Sequence, residues 1–240
     1  MDHLELQFKE LRLQGMSQCW QTLVETRKHH EISLAEGLSL LLQAENQQRI
    51  NNRFERLRKN ARFRYQASIE EIQFSSDRKL DKPYILELAT NAYINKGESI
   101  LITGATGSGK SFIASAFGHQ ACAAGHKVLY FNTQKLFIKT KMARLDGTIY
   151  KLFDQMAKTN LLILDDFGLM HLDKQQQMDL MEIIEDRHSK TATIIASQLP
   201  VANWYNIIGE ETIADAILDR LVHTSHRIEL YGEKSLRKKM

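Results

Sequence analysis

The sequence predicts an α/β fold, in which a mostly parallel five-stranded sheet with helices on both faces follows a small all-helical N-terminal domain. From Gly97 onward, short apolar runs alternate with helical stretches, and these runs are ESILITG, KVLYF, LLILD, ATIIAS and HRIEL. Strands that alternate with helical crossovers favour a parallel sheet, which binds ligands at the carboxyl ends of its strands. Before that region, apolar residues recur at helical spacing.

The N-terminal helices are marked by their apolar spacing and by one start signal. The first two carry Leu4, Phe8, Leu11, Met16, Trp20 and Leu23. A third begins at Ser33, which has capping-box spacing to Glu36, and its arginine-rich continuation is expected to end near Tyr65. We therefore assign residues 1–66 to a helical domain, 67–96 to a linker and the start of the α/β module, and 97–240 to the α/β domain.

Composition excludes several classes of protein. The chain has 240 residues, a formal charge of +3, 43% apolar and 25% charged residues, as is typical of soluble globular proteins. No apolar run approaches the roughly 18 residues of a membrane helix, so no membrane association is expected. Cys19 and Cys122 lie far apart, and the first residues, MDHLELQFKE, are too charged for a signal peptide. We expect a cytoplasmic protein.

The stretch GATGSGKS matches the phosphate-binding pattern G-x-x-x-x-G-K-[ST], and it lies between a predicted strand and a predicted helix. Its glycines permit a turn whose N–H groups point at phosphate oxygens, and the helix N-terminus adds partial positive charge. Lys110 is expected to reach the β- and γ-phosphates, and Ser111 to bind Mg²⁺. The predicted ATP-binding residues are Gly104, Ala105, Thr106, Gly107, Ser108, Gly109, Lys110 and Ser111.

Two aspartates end the apolar run LLILDDFG. At the carboxyl end of a buried strand, Asp165 is expected to hold Mg²⁺, through water, and Asp166 to polarise the attacking water. ATPases with an extra strand between this strand and the phosphate-loop strand usually carry glutamate at the second position. A protein kinase D-F-G motif is excluded, because the H-R-D loop and the V-A-I-K lysine are missing. A pair of exposed carboxylates after a strand is the simpler alternative.

Two further positions have a functional and a structural interpretation. Ser197 ends the run ATIIAS and is the preferred candidate for sensing the γ-phosphate, with Gln198 as the second candidate. The alternative is that Ser197 merely starts the turn before Pro200. Arg220 lies beside the apolar stripe of the amphipathic stretch IADAILDRL, from which it could reach the nucleotide of a neighbouring subunit. Spacing alone favours a surface arginine close to carboxylates such as Asp215 or Asp219.

Two clusters of positive charge indicate nucleic acid as a partner. Residues 49–64 hold seven arginines and lysines against Glu55 alone, a balance of 7 − 1 = +6, and Arg49, Arg53 and Arg56 share one helical face. The second cluster follows the second strand and has no acidic residue between positions 132 and 145. Its members are Lys135, Lys139, Lys141 and Arg144. Charged faces that are merely solvated are the alternative.

Together these motifs resemble the IstB-like ATPases of the AAA+ superfamily of P-loop NTPases, the ATP-dependent helpers of insertion-sequence transposases and relatives of DnaC-like helicase loaders. The resemblance covers nearly the whole chain. It rests on LRLQGM, GATGSGKS, LLILDDFG, SQLPVANWYNIIGEETIADAILDRLVH and RIELYGEKSLRKK. The chain departs from the family where RFRYQASIEEIQF replaces a proline-containing linker of the F-P-x-x-K-T type.

The resemblance implies a homo-oligomer that hydrolyses ATP at sites shared between subunits. Arg220 resembles an arginine finger given to the neighbouring site, and Arg237 resembles a second sensor. The family also implies assembly on double-stranded DNA, remodelling of that DNA, and recruitment and stimulation of a transposase. The second basic cluster resembles the helical element that grips DNA in the pore of the ring. A replicative helicase loader is the main alternative, and SQLPVANWYNIIGEE favours the transposition helper. A small-molecule phosphotransferase would need an acceptor pocket and an arginine-rich lid, and neither is evident.

Overall fold

The computed structural model describes residues 2–74 and 78–231, which form two compact units that divide between Arg56 and Leu57. The helices before the sheet are α1 (Asp2–Glu10), α2 (Gln14–Glu25) and α3 (Leu34–Ala61), with a 3₁₀ turn at Lys28–His30. The helix α3 contains the division. The structure therefore confirms the predicted helical N-terminal region.

The ends of α3 show why its length differs from the prediction. At its start, the predicted capping box is present: Glu36 accepts a bond of 2.8 Å from the Ser33 N–H, and the Glu36 N–H donates to Ser33 Oγ over 3.3 Å. At its end, the expectation of a helix running to Tyr65 is wrong. Arg62 has a positive φ of 58°, a left-handed conformation that ends α-helices, so α3 stops at Ala61.

A close backbone approach joins α2 to α3. The Gly15 N–H donates to Oε2 of the buried Glu45 over 2.9 Å, and Arg49 pairs with the same carboxylate over 2.7 Å. A Cβ added at Gly15 would lie 2.6 Å from the Cα of Glu45, which is closer than such atoms come in real structures. Glycine at position 15 is therefore a packing requirement, and it explains the glycine of the LRLQGM stretch.

The second unit contains the sheet. Its strands are β1 (Ser99–Gly104), β2 (Val128–Asn132), β3 (Leu161–Phe167), β4 (Ala192–Ser197) and β5 (Ser225–Leu230). Its helices are α4 (Lys82–Leu88), α5 (Ala92–Lys96), α6 (Lys110–Ala123), α7 (Thr133–Leu145), α8 (Ile149–Ala157), α9 (Lys174–Arg187), α10 (Trp204–Ile208) and α11 (Glu211–Val222), and a 3₁₀ turn spans Val201–Asn203. All five predicted strands are present.

The strands of the described residues run parallel in the order β2-β3-β4-β1-β5. The strand β4 therefore separates β3 from β1, which is the extra-strand arrangement that the two aspartates suggested. Every residue of β4 is buried, and so are most residues of β1 and β3, as expected of parallel strands covered on both faces. Their carboxyl ends bring residues 104–111, Asn132, Asp165 and Ser197 to one edge of the sheet.

At the opposite end of the sheet, a buried arginine holds the amino ends of the strands in place. Arg187, at the end of α9, donates to the carbonyl oxygens of Met156, Thr159 and Ala192 and to the hydroxyl of Thr193. Burial lowers the pKa of its guanidinium group to about 9. These bonds give the buried guanidinium group the partners that a buried charge requires. Among the described residues, we find no helix with both the length and the apolar character needed to cross a membrane.

We predict that Gly15→Ala destabilises the crossing of α2 and α3, because the added methyl group meets backbone that cannot move aside. Overpacking of this kind costs about 1–3 kcal/mol. Gly37→Ala is the matched control, since a Cβ there meets only the side chain of Ile32 at 3.5 Å, and alanine suits a helix interior better than glycine. Hydrogen exchange over α2 and α3 of the full chain measures both. Equal protection in the two variants would contradict the steric argument.

Candidate functional site

The loop between β1 and α6 has the geometry that the phosphate-binding pattern predicts. Gly104, Gly107 and Gly109 all have positive φ angles, of 147°, 81° and 97°. A Cβ added at Gly104 would run into the carbonyl oxygen of Leu230 on the neighbouring β5, so only glycine fits there. The loop follows the carboxyl end of β1 and leads into the N-terminus of α6, where N–H groups and the helix dipole favour anions.

Lys110, the first residue of α6, is held against this loop. Its side chain is buried, and Nζ donates to the carbonyl oxygens of Gly104 and Ala105, over 2.8 Å each. A short run of backbone therefore fixes the position of the ammonium group. The sequence assigned this charge to the β- and γ-phosphates, and the structure places it at the loop that would enclose them.

A buried carboxylate at the end of β3 lies beside the loop. Asp165 is 1% exposed, and its Oδ1 accepts hydrogen bonds of 2.9 Å from Ser111 Oγ and from the Asp166 N–H. Its Oδ2 accepts a hydrogen bond from the hydroxyl group of Tyr130. Burial, followed by the negative charge of Asp165, raises the pKa of Tyr130, so this hydroxyl stays a donor. Asp165 is thus not an exposed carboxylate after a strand.

The pair formed by Ser111 and Asp165 suits Mg²⁺. A hydroxyl oxygen and a carboxylate oxygen lie 2.9 Å apart, next to the phosphate-binding loop. Mg²⁺ prefers oxygen ligands and usually binds through one or two protein groups, with water and substrate phosphate completing its shell. The two residues that the sequence assigned to the metal are therefore adjacent, and their donor set fits this ion.

Asp166 is turned away from Asp165 by an unusual backbone conformation. Its φ is 56°, and the pairing of β3 with β4 shifts register between Leu164 and Phe167. The turn directs its Oδ2 toward two donors: Asn132 Nδ2 at 2.9 Å and a guanidinium nitrogen of Arg64 at 2.8 Å. The same nitrogen lies 3.5 Å from Asp165 Oδ2. Two carboxylates, a carboxamide and an arginine thus meet at the end of β3.

The structure separates the roles of Ser197 and Gln198. Ser197 is fully buried, and its hydroxyl donates to the Phe167 carbonyl oxygen over 2.8 Å and accepts from the Leu199 N–H over 3.1 Å. Gln198 accepts a hydrogen bond of 2.7 Å from the hydroxyl of Thr106 in the phosphate-binding loop. Ser197 thus shapes the turn, and the geometry favours Gln198 as the residue that reaches the loop.

Arg220 lies near the amino ends of the strands, at the end of the sheet opposite the phosphate-binding loop. On α11 it pairs with Glu185 of α9, and its guanidinium group donates to the Ala216 carbonyl oxygen over 2.8 Å. The carboxylate partner is therefore Glu185 and neither Asp215 nor Asp219. Arg220 also lines a small cavity with Ser99, the first residue of β1. Arg237, the expected second sensor, lies outside the described residues.

The basic residues of the two clusters differ in whether their charges are exposed or paired with carboxylates. Arg49, Arg53 and Arg56 are exposed on α3, although Arg49 pairs with Glu45. In the second cluster, Lys135, Lys139 and Lys141 are exposed on α7. Arg144 instead pairs with Asp179 of α9, which is buried, so its charge anchors α7 and is offset. The geometry therefore favours the three lysines over Arg144 as contacts for a phosphate backbone.

Sequence reasoning did not find four of the residues that surround the site. Tyr130 and Asn132 lie on β2, whose pairing with β3 sets Asn132 opposite Asp165, so the end of the neighbouring strand was an available signal. The other two are arginines: Arg64 binds the aspartates, and the buried Arg78 donates to the Ser108 carbonyl oxygen. Arg64 was counted in the first basic cluster but not assigned to this site, and Arg78 has no local pattern. Both reach the site from outside the sheet.

Solved structures share this fold. The DnaC helicase loader superimposes with a TM-score of 0.59 at 19% identity, over 68% of this chain and 96% of that chain. DnaI gives a TM-score of 0.60 at 19% identity, over 72% and 93% of the two chains. The replication initiator DnaA, bound to AMPPCP and single-stranded DNA, gives 0.59 at 18% identity, over 72% and 52%. At these identities the similarity confirms the P-loop AAA+ fold alone.

Relatives in sequence identify the family, which the solved structures do not. A protein named as insertion sequence ATP-binding protein y4pL, from Sinorhizobium fredii, is 42% identical over 94% of this chain and 92% of its own length. The corresponding protein of insertion sequence IS21, from Pseudomonas aeruginosa, is 28% identical over 97% and 88%. The sequence signature described as IstB-like ATP binding protein matches residues 6–240. With its phosphate-binding loop and paired aspartates in place, the chain belongs to the family of IstB-like ATP-binding proteins.

Proposed function

We propose that this chain is an Mg²⁺-dependent ATPase that assembles on double-stranded DNA, remodels it, and recruits and stimulates a transposase. The observation that supports hydrolysis best is the arrangement of Ser111, Asp165 and Asp166 beside the loop that holds Lys110. It combines phosphate binding, a fitting pair of metal ligands and a second carboxylate one residue away. The names of the relatives support the link to insertion sequences.

In this proposal the residues of the chain bind the phosphates, hold the metal and activate the attacking water. The loop N–H groups and Lys110 bind the phosphates, and Ser111 and Asp165 hold the metal. Bound Mg²⁺ would neutralise charge on the β- and γ-phosphates and align them. Asp166 takes a proton from the attacking water, or orients that water, because it is the less buried of the two carboxylates. Gln198, in contact with Thr106, is the sensor, although the sequence favoured Ser197.

A shared site between subunits agrees with the position of Arg220. The strand β1 has six residues at about 3.3 Å each, so its ends lie roughly 17 Å apart. Arg220 lies near the amino end of this strand, whereas the phosphate-binding loop follows the carboxyl end. An arginine so placed can serve the nucleotide of another copy of the chain more easily than its own. Arg237 keeps its proposed role as second sensor.

The names of the relatives, and not the fold, support the proposed partner. Structural similarity to DnaC would also suit a helicase loader, but the insertion sequence protein y4pL is 42% identical over 94% of this chain, against 19% identity for DnaC. We therefore favour a transposase as the partner. DNA contacts are proposed for Arg49, Arg53 and Arg56 and for the lysines of α7. The expected place of action is the cytoplasm, where bacterial DNA is found.

We predict that Asp166→Asn stops hydrolysis while ATP and Mg²⁺ still bind, because the change removes the charge and keeps the size. Loss of a general base lowers rates by roughly 10²- to 10⁴-fold. Asp165→Asn should impair Mg²⁺ binding as well as the rate. Release of phosphate, together with titration of a fluorescent ATP analogue with and without Mg²⁺, checks both. Normal hydrolysis in the two variants would contradict the roles given to these aspartates.

For Arg220→Ala, we expect normal binding of ATP and a loss of hydrolysis in the assembled state of roughly 10³- to 10⁵-fold, as for arginine fingers elsewhere. A mixing experiment gives the control. Arg220→Ala chains keep a sound phosphate-binding loop and Lys110→Ala chains keep the arginine, so the two inactive proteins together should recover part of the activity. Arg220→Lys should rescue poorly, since lysine lacks the planar fork. If mixed assemblies form and stay inactive, the site is not shared.

The lysines of α7 allow a graded test of DNA binding. Lys139→Ala/Lys141→Ala should weaken binding to duplexes of any sequence and reduce the salt slope by about 0.9 for each lost phosphate contact. Lys127→Ala/Lys151→Ala is the matched control, since it removes the same charge from exposed positions outside α7. Titration of a labelled duplex at several salt concentrations measures the slope. Equal slopes in the two variants would place the DNA elsewhere.

A further inference from the structure

The guanidinium group of Arg220 is bound through two of its nitrogen atoms and open at the third. Its Nε lies against Oε2 of Glu185 on α9, and its Nη1 donates to the Ala216 carbonyl oxygen over 2.8 Å. Among the residues that the structure describes, Nη2 donates no hydrogen bond. The side chain is 26% exposed, so a ligand can reach this nitrogen from the solvent.

The end of α9 contacts the backbone of Arg220 as well as its side chain. His188 directly follows α9, and its Nδ1 lies 3.2 Å from the Arg220 carbonyl oxygen, to which it can donate a hydrogen bond. Arg187, between the two contacting residues, anchors this end of the helix through four buried hydrogen bonds. Glu185 and His188 therefore approach Arg220 from a part of α9 that is firmly attached to the sheet.

The ion pair between Arg220 and Glu185 contributes little to the stability of the fold. Glu185 is 54% exposed, and an ion pair so exposed is weakened by water. Its effect is on the conformation of the arginine. A free arginine side chain samples many rotamers and loses this freedom when it binds an anion, whereas a side chain that is already held loses less. The contact with Glu185 therefore prepares Arg220 to bind a second anion.

We infer that Glu185 is a positioning residue for Arg220, which it holds so that Nη2 can bind a phosphate oxygen of the ATP in another copy of the chain. The inference rests on the proposed shared ATP site and names the residue that orients its arginine. Nη2 and the remaining N–H of Nη1 form the end of the guanidinium fork, which matches two phosphate oxygens. A carboxylate that instead competed with the phosphate for Arg220 would have the opposite effect on hydrolysis.

The test places one substitution on either of two kinds of chain. When Arg220→Ala and Lys110→Ala chains are mixed, the productive interface takes its phosphate-binding loop from the first and its arginine from the second. Glu185→Ala on the Lys110→Ala chain should lower the recovered hydrolysis of ATP by roughly 10-fold to 10²-fold, as the misplacement of a catalytic group by about 1 Å does. On the Arg220→Ala chain it should have no effect. A merely structural role would lower the activity of both mixtures.

Glu182→Ala is the matched control, because it removes the same charge from an exposed position of α9 one turn earlier. On the Lys110→Ala chain it should leave the recovered activity unchanged. An equal loss from Glu185→Ala in both mixtures, or no loss in either, would overturn the inference. So would a gain when Glu185→Ala is on the chain that gives the arginine, since Glu185 would then keep Arg220 from the neighbouring site. Glu185→Gln replaces Glu185→Ala if the latter does not fold.

A second measurement does not depend on hydrolysis. An arginine bound to a neighbour's phosphate strengthens the association of the chains, so a non-hydrolysable ATP analogue should promote association less in Glu185→Ala than in the unmodified chain. In the Arg220→Ala background, Glu185→Ala should make no further difference. Light scattering over a range of chain concentrations measures both.

The inference and the proposed function can fail separately. If the mixture of Arg220→Ala and Lys110→Ala chains assembles and recovers no activity, and the analogue promotes association equally with and without Arg220, the shared site is wrong and the inference falls with it. If the mixture recovers activity and Glu185→Ala acts alike on either chain, the inference alone is wrong. A chain that never hydrolyses ATP but shows the Arg220-dependent effect of Glu185→Ala on association would contradict the proposed ATPase and support the positioning role.

Discussion

The buried negative charge of Asp165 is the constraint on which the rest of this site depends. A carboxylate with 1% exposure would cost several kcal/mol if it were left without partners. Three of its donors come from different elements: the Ser111 hydroxyl from α6, the Tyr130 hydroxyl from β2, and the Asp166 N–H from β3 itself. The guanidinium group of Arg64 adds a positive charge 3.5 Å from Oδ2. The three donors meet because β2 is the neighbour of β3 and because α6 starts at the same edge of the sheet. The packing that satisfies this charge also assembles the site.

At Asp166, the residue after Asp165, a strained backbone conformation coincides with a proposed functional role. A non-glycine residue with positive φ costs of the order of 1–3 kcal/mol when the conformation is unfavourable, and aspartate tolerates it better than most residues. The bonds from Asn132 and Arg64 help to offset that cost. The same turn separates the two carboxylates, so that one can hold a metal while the other faces water.

The features that the sequence predicted are local, and the features it missed are not. The phosphate-binding loop, the five strands and the capping box at Ser33 each depend on residues within a few positions of one another. Their patterns can therefore be recognised in the sequence alone. The end of α3 was misjudged because apolar and basic residues continue past Ala61, and nothing in that pattern marks Arg62 as the residue that leaves the helix. Arg64 then reaches Asp166 across a separation of 102 residues. Only the tertiary fold brings such groups together, and the same is true of the pair between Arg220 and Glu185.

The positions of Lys110 and Arg220 also bear on how copies of the chain would associate. If Arg220 completes a neighbour's site, one chain presents its arginine from the amino edge of the sheet and accepts another arginine at the carboxyl edge. The two contacting surfaces are then different parts of the molecule. Head-to-tail contacts satisfy this requirement, and they generate rings or helical filaments. Such an assembly repeats the exposed lysines of α7 at regular intervals, which suits a ligand with a regular charge repeat such as the DNA backbone. Arg220 and the phosphate-binding loop lie at opposite ends of the strands of one parallel sheet. The assembly that brings them together between copies would therefore both share its ATP sites and extend along DNA.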